Sequence, residues 1–288
     1  MNLISGSFAG SLFPERSRSA NKGDYGRVII TGGCTGMTGA VVLCAEAALK
    51  TGSGLVTAAI PASLNTIFEI KLTEAMTLPL PDCDGKLCGD ASVLLDFAAK
   101  CDAAAIGPGM GTSDPTAEFF ENFIKNSRTK LVIDADGLNL MSKNPELLPY
   151  INDRAVLTPH PGEMSRLTGL SVSYINQNRK EVATEYAKKT GTVVVLKGMH
   201  TVVTDGNRTL ICDKGNPGMA TGGSGDCLTG IIVSLIGQGR SLFDAACGGV
   251  YVHALAGDIA SEAVGEYSLV ASDIIRYLPE AIMTVKRE

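Results

Sequence analysis

Short apolar runs and longer helical patterns alternate along most of the chain. The apolar runs are rich in β-branched residues, and most are continuous rather than alternating, as expected for strands that are buried on both faces of a parallel sheet. This pattern predicts eight strands, at residues 27–31, 55–60, 103–106, 130–133, 155–157, 192–196, 201–204 and 209–212.

Apolar positions at helical spacing predict six longer helices, at residues 39–51, 115–125, 173–189, 225–236, 244–263 and 272–286. The alternation favours an α/β fold whose mostly parallel central sheet is flanked by helices on both faces. Asp205, Gly206 and Asn207 between the last two strands are typical of a hairpin turn. Since no linker or internal repeat interrupts the pattern, we expect a single domain over residues 1–288, in which residues 1–22 are a polar N-terminal lead-in.

Charge and composition exclude some functions. The 288 residues carry a net charge of −5, which argues against a dedicated nucleic-acid binder, because such proteins neutralise phosphates with Lys and Arg. No apolar run approaches the roughly 18 residues of a membrane span, and the N-terminus lacks the pattern of a signal peptide. These features predict a cytoplasmic protein without membrane contacts.

The eight cysteines show no regular spacing. Cys83 and Cys88 flank a turn at Asp84 and Gly85, which would allow a disulfide or a zinc site. Intracellular cysteines are usually reduced and buried, and only three histidines are available to complete a zinc site. We therefore expect free thiols.

The glycine-rich segment GNPGMATGGSGDCLTG, residues 215–230, is the most informative loop. Glycines let the backbone approach a ligand, and the free N–H groups at the start of a helix bind anions. We expect an anion hole for phosphate groups, formed by Gly222, Gly223, Ser224 and Gly225. Asp226, in the first helical turn, is placed to take a proton from a hydroxyl that attacks a phosphoryl group. The alternative is a glycine-rich turn in which Asp226 only caps the helix.

Two further loops follow predicted strands. Lys197 ends the strand VVVL and begins KGMHT, where it can reach nucleotide phosphates or ribose; a solvated lysine in an exposed turn is the alternative. His160 stands between two prolines in LTPHPGEMSRL, residues 157–167, which keep it out of the helical conformation before a short helix begins. We expect His160 to contact a ligand, and the alternative is a histidine that is only stiffened in its loop.

The remaining segments are less specific. IGPGMG, residues 106–111, and TGGCTGMTGA, residues 31–40, offer backbone approach to a ligand and the small side chain of Ala40. VIDADGLN, residues 132–139, contains Asp134 and Asp136, for which substrate binding, a magnesium-bound water and a structural role all remain open. His253 lies in an apolar helical stretch and is expected to be a packing residue.

Together, these motifs resemble the ADP- or ATP-dependent NAD(P)H-hydrate dehydratase family, a branch of the ribokinase-like superfamily. The resemblance runs in order from about residue 22 to the C-terminus and includes KGDYGRVIITGG, GPGMG, IDADGLN, LTPHPGEMSRL, VLKGMHT and GNPGMATGGSGD. It implies a ribokinase-like fold and an enzyme that repairs hydrated nicotinamide cofactors. In that family, the misplaced hydroxyl of the S epimer of hydrated NADH or NADPH (NADHX or NADPHX) is phosphorylated, and loss of phosphate restores the ring double bond.

The resemblance also implies roles for residues. It assigns the hydrated cofactor to Ala40, Gly109, His160 and Asp226, and the nucleotide to Lys197, Gly198, Met199, His200, Thr201 and Gly225, with Asp226 as the base. It favours ADP over ATP, with AMP and phosphate as products, Mg²⁺ as a cofactor and a homotetramer. It also favours the stand-alone bacterial type, because the chain is too short to contain the epimerase domain that many relatives carry.

A kinase of the same superfamily that phosphorylates a vitamin precursor, such as a thiazole or pyrimidine alcohol, would share the anion hole and the base. The segments LTPHPGE and NPGMATG favour the dehydratase. A nucleotide sensor without catalysis is a second alternative, but it would not need the carboxylate of Asp226 beside nucleotide phosphates.

Overall fold

The computed structural model describes residues 2–288. These residues form eleven strands: β1 (Arg27–Thr31), β2 (Leu55–Pro61), β3 (Met76–Leu80), β4 (Asp82–Cys83), β5 (Lys86–Leu87), β6 (Ala103–Ile106), β7 (Leu131–Ile133), β8 (Ala155–Leu157), β9 (Val193–Leu196), β10 (Thr201–Thr204) and β11 (Thr209–Cys212). Nine of them make one sheet in the order β11-β10-β9-β8-β7-β6-β1-β2-β3. All neighbouring pairs are parallel except those of β10, which runs antiparallel to β9 and β11. Strands β4 and β5 form a separate hairpin.

Helices cover both faces of the sheet. The described residues contain α1 (Gly6–Ser11), α2 (Thr38–Thr51), α3 (Asn65–Lys71), α4 (Ser92–Ala98), α5 (Asp114–Asn126), α6 (Asp136–Lys143), α7 (Pro161–Thr168), α8 (Val172–Gln177), α9 (Arg179–Thr190), α10 (Ser224–Gly237), α11 (Leu242–Val264) and α12 (Ala271–Val285). Short 3₁₀ helices occur at Lys22–Tyr25, Ala62–Leu64, Pro145–Ile151 and Pro217–Met219. Within residues 2–288, no helix is both long and apolar enough to cross a membrane.

The sheet separates two hydrophobic cores. Val28 and Ile30 of β1 point into the core built with α2, α10, α11 and α12, whereas Ile29 points into the core built with α4, α5, α6 and α9. Successive side chains of a strand point to opposite faces, so a strand with a core on each side must be apolar at every position. This explains the continuous apolar runs of the sequence and confirms the predicted mostly parallel α/β sheet with helices on both faces.

The structure departs from the predicted elements at a few places. Strand β3 was not predicted, because its sequence MTLPL contains Pro79 and it lies at the sheet edge, where proline is tolerated. The helix predicted at residues 173–189 is two helices, α8 and α9, with a break at Asn178. The short helices α3, α4 and α6 also escaped prediction, since each offers only two turns of periodic pattern.

Residues 2–22 are more than a polar lead-in. Helix α1 forms there, and the side chains of Ile4 and Ala9 are buried, with exposed fractions of 3% and 0%. The backbone N–H of Ile4 donates to the carbonyl oxygen of Ile211 in β11 at 3.0 Å. The segment therefore covers the outer edge of the sheet at β11, which leaves fewer unpaired backbone groups there.

The expectation that all cysteines are free thiols was wrong for one pair. Cys83 and Cys88 form a disulfide across the β4–β5 hairpin, with their Cα atoms 6.0 Å apart. The intervening Asp84 and Gly85 both adopt positive φ, at 53° and 69°, and this tight turn brings the two sulfur atoms together. Cys34, Cys44, Cys101, Cys212, Cys227 and Cys247 are free.

Helices α2 and α10 pack closely at Gly230. A Cβ atom at this position would lie 2.9 Å from the Cβ of Ala47 and would collide with the carbonyl oxygen of Cys44. We expect Gly230→Ala to lower the free energy of unfolding by about 1–3 kcal/mol, because the two helices would have to separate. Urea denaturation followed by circular dichroism measures this.

The matched control is Gly39→Ala in α2, where an added Cβ meets no atom within 4 Å. This variant should be as stable as the parent chain or more stable by up to about 1 kcal/mol, since alanine favours the helix over glycine. Equal stability of the two variants would contradict the tight α2–α10 contact.

Candidate functional site

A cavity of about 970 Å³ lies where the carboxyl ends of β7, β8 and β9 meet the start of α10. Open parallel sheets bind their ligands at this edge. Among the predicted site residues, the cavity is lined by His160, Lys197, Gly198, Met199, His200, Thr201, Gly223, Ser224, Gly225 and Asp226. Ala40 and Gly109 do not line this cavity but lie beside each other, since a Cβ on Gly109 would be 3.0 Å from that of Ala40. Gly222 is exposed next to the lining residue Gly223.

The N-terminus of α10 has the form expected of an anion site. Gly223 precedes the helix with a φ of 92°, which favours glycine, and Ser224 begins the helix. A Cβ on Gly225 would lie 3.2 Å from Lys197 Nζ, so a side chain there would crowd the ammonium group. The first backbone N–H groups of α10 therefore start at the cavity without a bulky side chain in front of them.

His253 of α11 holds this helix start. Its Nε2 is 2.9 Å from the carbonyl oxygen of Ser224 and 3.4 Å from the Ser224 hydroxyl. Burial lowers the pKa of His253 to about 4, so the ring is neutral at physiological pH and Nε2–H donates to the carbonyl oxygen. The expectation of a buried packing residue is confirmed, and the residue also fixes the position of Ser224.

An ion pair joins two strand ends across β8. Lys197 Nζ, after β9, lies 2.7 Å from Asp134 Oδ1, after β7, and the hydroxyl of Thr229 in α10 donates to Asp134 Oδ2 at 2.8 Å. Asp134 is only 1% exposed, and 18% of the Lys197 side chain is exposed. Burial alone would lower the pKa of Lys197, but Asp134 and Glu163 outweigh it and raise that pKa, so the ammonium group stays charged. The structure thus gives Asp134 an ionic role within the site.

Two carboxyl groups near this ion pair titrate close to neutrality. Burial, the charge of Asp134 and that of Glu163 raise the pKa of Asp226 to about 7, while Lys197 acts in the opposite direction. Burial also raises the pKa of Glu163 to about 7, although Lys197 lies 3.8 Å from its Oε2. One ammonium group cannot neutralise three neighbouring carboxylates in a site of low polarity. Asp226 is therefore partly protonated and partly a base near pH 7.

His160 caps helix α7. Its Nδ1 accepts hydrogen bonds from the backbone N–H groups of Gly162 and Glu163, at 2.9 and 3.3 Å, and the Glu163 carboxylate accepts from the His160 N–H at 2.7 Å. Burial lowers the pKa of His160, as do the nearby charges of Lys197 and Arg166, so the neutral ring fits these bonds. The His160 side chain is half exposed at the cavity, and its Nε2 lies 3.4 Å from Glu163 Oε1.

The loop at residues 197–201 is built for close backbone approach. Gly198 has a φ of 134° and His200 a φ of 56°, while the Thr201 hydroxyl donates to the carbonyl oxygen of Gly198 at 2.9 Å. Met199 is 84% exposed. Arg179 of α9 stabilises the loop by donating hydrogen bonds to the carbonyl oxygens of Leu196 and Lys197.

Asp136 has a structural position. Its Oδ2 accepts the N–H of Gly111 at 2.9 Å, and its Oδ1 accepts from the amide of Asn139 at 3.2 Å. Ala135, between the two aspartates, has a φ of 49°, a strained conformation for a residue with a Cβ. This backbone turn directs Asp134 towards Lys197 and Asp136 towards the 106–111 loop.

Sequence reasoning missed several partners. Thr229 looks like an ordinary residue of an apolar helix, and nothing in its neighbourhood points to Asp134, which precedes it by 95 residues. Glu163 was expected only to start a helix, although a glutamate three residues after a capping residue is a recognisable capping pair. Within residues 2–288, no group of three or more His, Cys, Asp and Glu side chains is arranged to hold a metal ion by itself.

Solved structures agree with this fold. A ribokinase-like superfamily protein from Enterococcus faecalis V583 has a TM-score of 0.89 and 26% identity, over 100% of this chain and 97% of that protein. An ADP/ATP-dependent NAD(P)H-hydrate dehydratase from Bacillus subtilis, co-crystallised with ATP and Mg²⁺, has a TM-score of 0.81 and 25% identity, over 99% and 98% of the two chains. The fold is therefore that of the ribokinase-like proteins.

Sequence comparison narrows this class. A family model described as NAD(P)H-hydrate dehydratase matches residues 28–280, and the chain belongs to this family. A bifunctional NAD(P)H-hydrate repair enzyme from Moorella thermoacetica is 42% identical over 99% of this chain and 54% of that protein. An ADP-dependent (S)-NAD(P)H-hydrate dehydratase from Xanthomonas campestris is 34% identical over 92% and 91% of the two chains. The chain spans about half the length of the bifunctional relatives it matches.

The charge of Asp226 should limit stability at high pH. The folded state raises the pKa of this carboxyl from 3.8 to about 7, so the stability linked to the bound proton is present below pH 4 and is lost as the pH rises towards 7. We expect Asp226→Asn to be more stable than the parent chain at pH 8, by on the order of 2 kcal/mol, and the two to converge as the pH falls towards 4. Urea denaturation at several pH values measures the difference.

Asp96→Asn, at an exposed position of α4, is the matched control, and its stability should follow that of the parent chain at every pH. If Asp226→Asn were less stable at pH 8, the carboxylate would have a net favourable interaction, and the raised pKa would be wrong.

Proposed function

We propose that this chain catalyses the ADP-dependent dehydration of (S)-NADHX and (S)-NADPHX, which yields NADH or NADPH, AMP and phosphate. The observation that carries this proposal is the position of Asp226, whose carboxyl group lines the cavity in the first turn of α10, next to Gly223 and Gly225. A base beside a phosphate-binding helix start is the arrangement that phosphoryl transfer to a hydroxyl requires. The names of the relatives from Xanthomonas campestris and Bacillus subtilis support the choice of reaction.

In the proposed mechanism, the hydroxyl of the hydrated nicotinamide ring lies against Asp226. The carboxylate takes the hydroxyl proton as the oxygen attacks the terminal phosphorus of ADP, and AMP leaves. The N–H groups at the start of α10 stabilise the charge that develops on the phosphoryl oxygens. The bond between the ring carbon and the phosphorylated oxygen then breaks, phosphate leaves with the bonding electrons, and loss of a ring proton forms the double bond. Phosphorylation is needed because hydroxide is a poor leaving group.

In this proposal, the two ligands occupy different parts of the site. The nucleotide contacts Gly225 and the loop at residues 197–201, while the hydrated cofactor contacts His160, Asp226 and the pair Ala40–Gly109. The separation is supported by the layout of the site, since Ala40 and Gly109 contact each other outside the cavity that the 197–201 loop lines. Lys197 is held by Asp134, so it would contribute to nucleotide binding by its charge and its backbone rather than as a free side chain.

Mg²⁺ fits this site as a companion of the nucleotide. Magnesium is usually held by one or two carboxylates together with substrate phosphates, so a dedicated cluster of protein ligands is not required. Asp226 and Glu163 are oxygen donors whose negative charge Lys197 does not fully balance, as their raised pKa values indicate. The ion would neutralise the phosphate charge during transfer.

We also propose that the protein is a cytoplasmic homo-oligomer, with the tetramer that the family resemblance implies. Six cysteines among the described residues are free thiols, as is usual in a reducing compartment, although Cys83 and Cys88 form a disulfide. Ile70, Ile67 and Met76 are exposed at the β3 edge of the sheet, at 75%, 43% and 46%, and offer an apolar surface for contacts between copies. Sedimentation that yields only monomer would refute the oligomer.

The direct test is absorbance at 340 nm of purified protein with hydrated NADH or NADPH, Mg²⁺ and either ADP or ATP. We expect the absorbance to recover with release of one phosphate per cofactor repaired, faster with ADP. Phosphorylated substrate that accumulates without recovery would indicate a kinase, and no change with either nucleotide from folded protein would refute the dehydratase.

Asp226→Asn should lower kcat by about 10²–10⁴-fold, because the proton acceptor is lost. ADP should bind as tightly as before or more tightly, since a charge that repels phosphate is removed. In the parent chain, kcat/KM should rise with pH through about 7 as Asp226 loses its proton. Stopped-flow absorbance and calorimetry give these values, with Asp96→Asn as the control. A variant that retains full turnover would exclude Asp226 as the base.

A further inference from the structure

The site has few cations for ligands that are both anionic. Asp134, Glu163 and Asp226 interact closely there, and Lys197, the cation among them, is paired with Asp134. The helix start at Gly225 offers its N–H groups to a phosphate group. A hydrated dinucleotide carries a pyrophosphate, and NADPHX carries one further phosphate. Besides Lys197, Lys214 also lines the cavity, in the segment after β11. A further positive charge beside His160 would favour binding of the second anionic ligand.

Arg166 supplies a positive charge on that side. It lies in the last turn of α7, the helix that His160 caps. One of its terminal nitrogens, Nη1, is 3.9 Å from the place that a Cβ would occupy on Gly162, and the His160 ring is 2.8 Å from the same point. The guanidinium group and the imidazole ring thus flank the same backbone position; His160 lines the cavity, and Arg166 lies outside its lining.

The guanidinium group is fixed by a neutral partner. Arg166 Nε donates a hydrogen bond of 2.8 Å to Asn139 Oδ1. Within the described residues, no carboxylate forms an ion pair with Arg166 at 4.0 Å or less. An amide partner orients the guanidinium plane without neutralising its charge, so the remaining N–H donors can still bind an anion. The side chain is exposed and reachable by a ligand.

Asn139 is itself held in place. Its amide group donates to Asp136 Oδ1 at 3.2 Å, and Asp136 Oδ2 accepts the N–H of Gly111 at 2.9 Å. Gly111 belongs to the same loop as Gly109, which lies against Ala40. A continuous chain of hydrogen bonds therefore runs from Arg166 to the loop on which the cofactor is proposed to rest.

We propose that Arg166 binds a phosphate group of the hydrated dinucleotide, and that Asn139 and Asp136 position it for this contact. The proposal rests on the proposed function, because it takes the hydrated cofactor as the ligand of the His160 side. It gives Asp136 a positioning role in the loop network rather than a direct contact with substrate.

Arginine suits this contact better than lysine. Its planar group binds phosphate through two parallel N–H donors, whereas an ammonium group acts as a point charge. Neutral His160 beside it adds no competing positive charge that would draw the phosphate away. The orientation of the guanidinium group depends on its hydrogen bond to Asn139. Loss of that hydrogen bond should therefore weaken binding, although the positive charge remains.

Calorimetric titration with hydrated NADPH, hydrated NADH and ADP tests the proposal on Arg166→Ala. We expect the Kd of a hydrated cofactor to rise about 10- to 100-fold and the Kd of ADP to change by less than about threefold. A loss of affinity for both cofactors would show that Arg166 binds the pyrophosphate. A loss of affinity for hydrated NADPH alone would show that it binds the 2′-phosphate. No loss for either cofactor, or an equal loss for ADP, would overturn the proposal.

Three comparisons separate a phosphate contact from a structural effect. Arg166→Lys should recover part of the lost affinity, and Asn139→Ala should weaken cofactor binding by a smaller factor than Arg166→Ala. For the parent chain, the Kd of the hydrated cofactor should rise with salt concentration, and this rise should be smaller for Arg166→Ala. Lys100→Ala removes one positive charge just before β6, at the opposite edge of the sheet, and should leave every Kd unchanged.

Equilibrium binding keeps this test apart from the test of the reaction. If the parent chain binds hydrated cofactor but does not restore it, the dehydratase function is refuted. The Kd of Arg166→Ala then still decides whether Arg166 binds the cofactor. A parent chain that repairs the cofactor, while Arg166→Ala binds it as well as before, would refute the role of Arg166 alone.

Discussion

The buried ion pair between Lys197 and Asp134 is the interaction on which the rest of the site depends. It spans the end of β8 and ties β9 to β7, and the hydroxyl of Thr229 extends it to α10. Removing one partner would leave an uncompensated charge in a nearly solvent-free position, which typically costs about 3–5 kcal/mol. The pair therefore fixes the start of α10, which carries both the anion site and Asp226, relative to the sheet.

Repulsion between carboxylates is concentrated around Asp226, the proposed base. Three carboxyl groups share one ammonium group, and as a result Asp226 and Glu163 keep protons to about pH 7. A carboxylate with an ordinary pKa would be a weaker base, whereas one that titrates near neutrality accepts a proton readily under working conditions. Gly225 makes the crowding feasible, because any side chain there would approach Lys197 Nζ.

Much of this fold follows from sequence, because a strand with a core on each face must be apolar throughout. The exceptions have local causes: β3 contains Pro79 at a sheet edge, and the Cys83–Cys88 bond depends on a turn whose geometry spacing alone does not define. For the site, motifs indicated which loops matter but not which side chains meet. Lys197 and Asp134 are 63 positions apart, and only the parallel order of β7, β8 and β9 brings them together.

The hydrogen-bond chain from Arg166 to Gly111 gives a physical reason for the otherwise unexplained polar residues of IDADGLN. Asp134 turns inward to the ion pair, Asp136 and Asn139 turn outward to the loop, and the strained backbone of Ala135 separates the two directions. One short segment thus supports both the ion pair at the cavity and the loop at residues 106–111. A strained residue persists only where its surroundings define the conformation, and here both networks do so. Relaxing Ala135 would therefore disturb the base and the cofactor side together, which makes this turn the mechanical link between them.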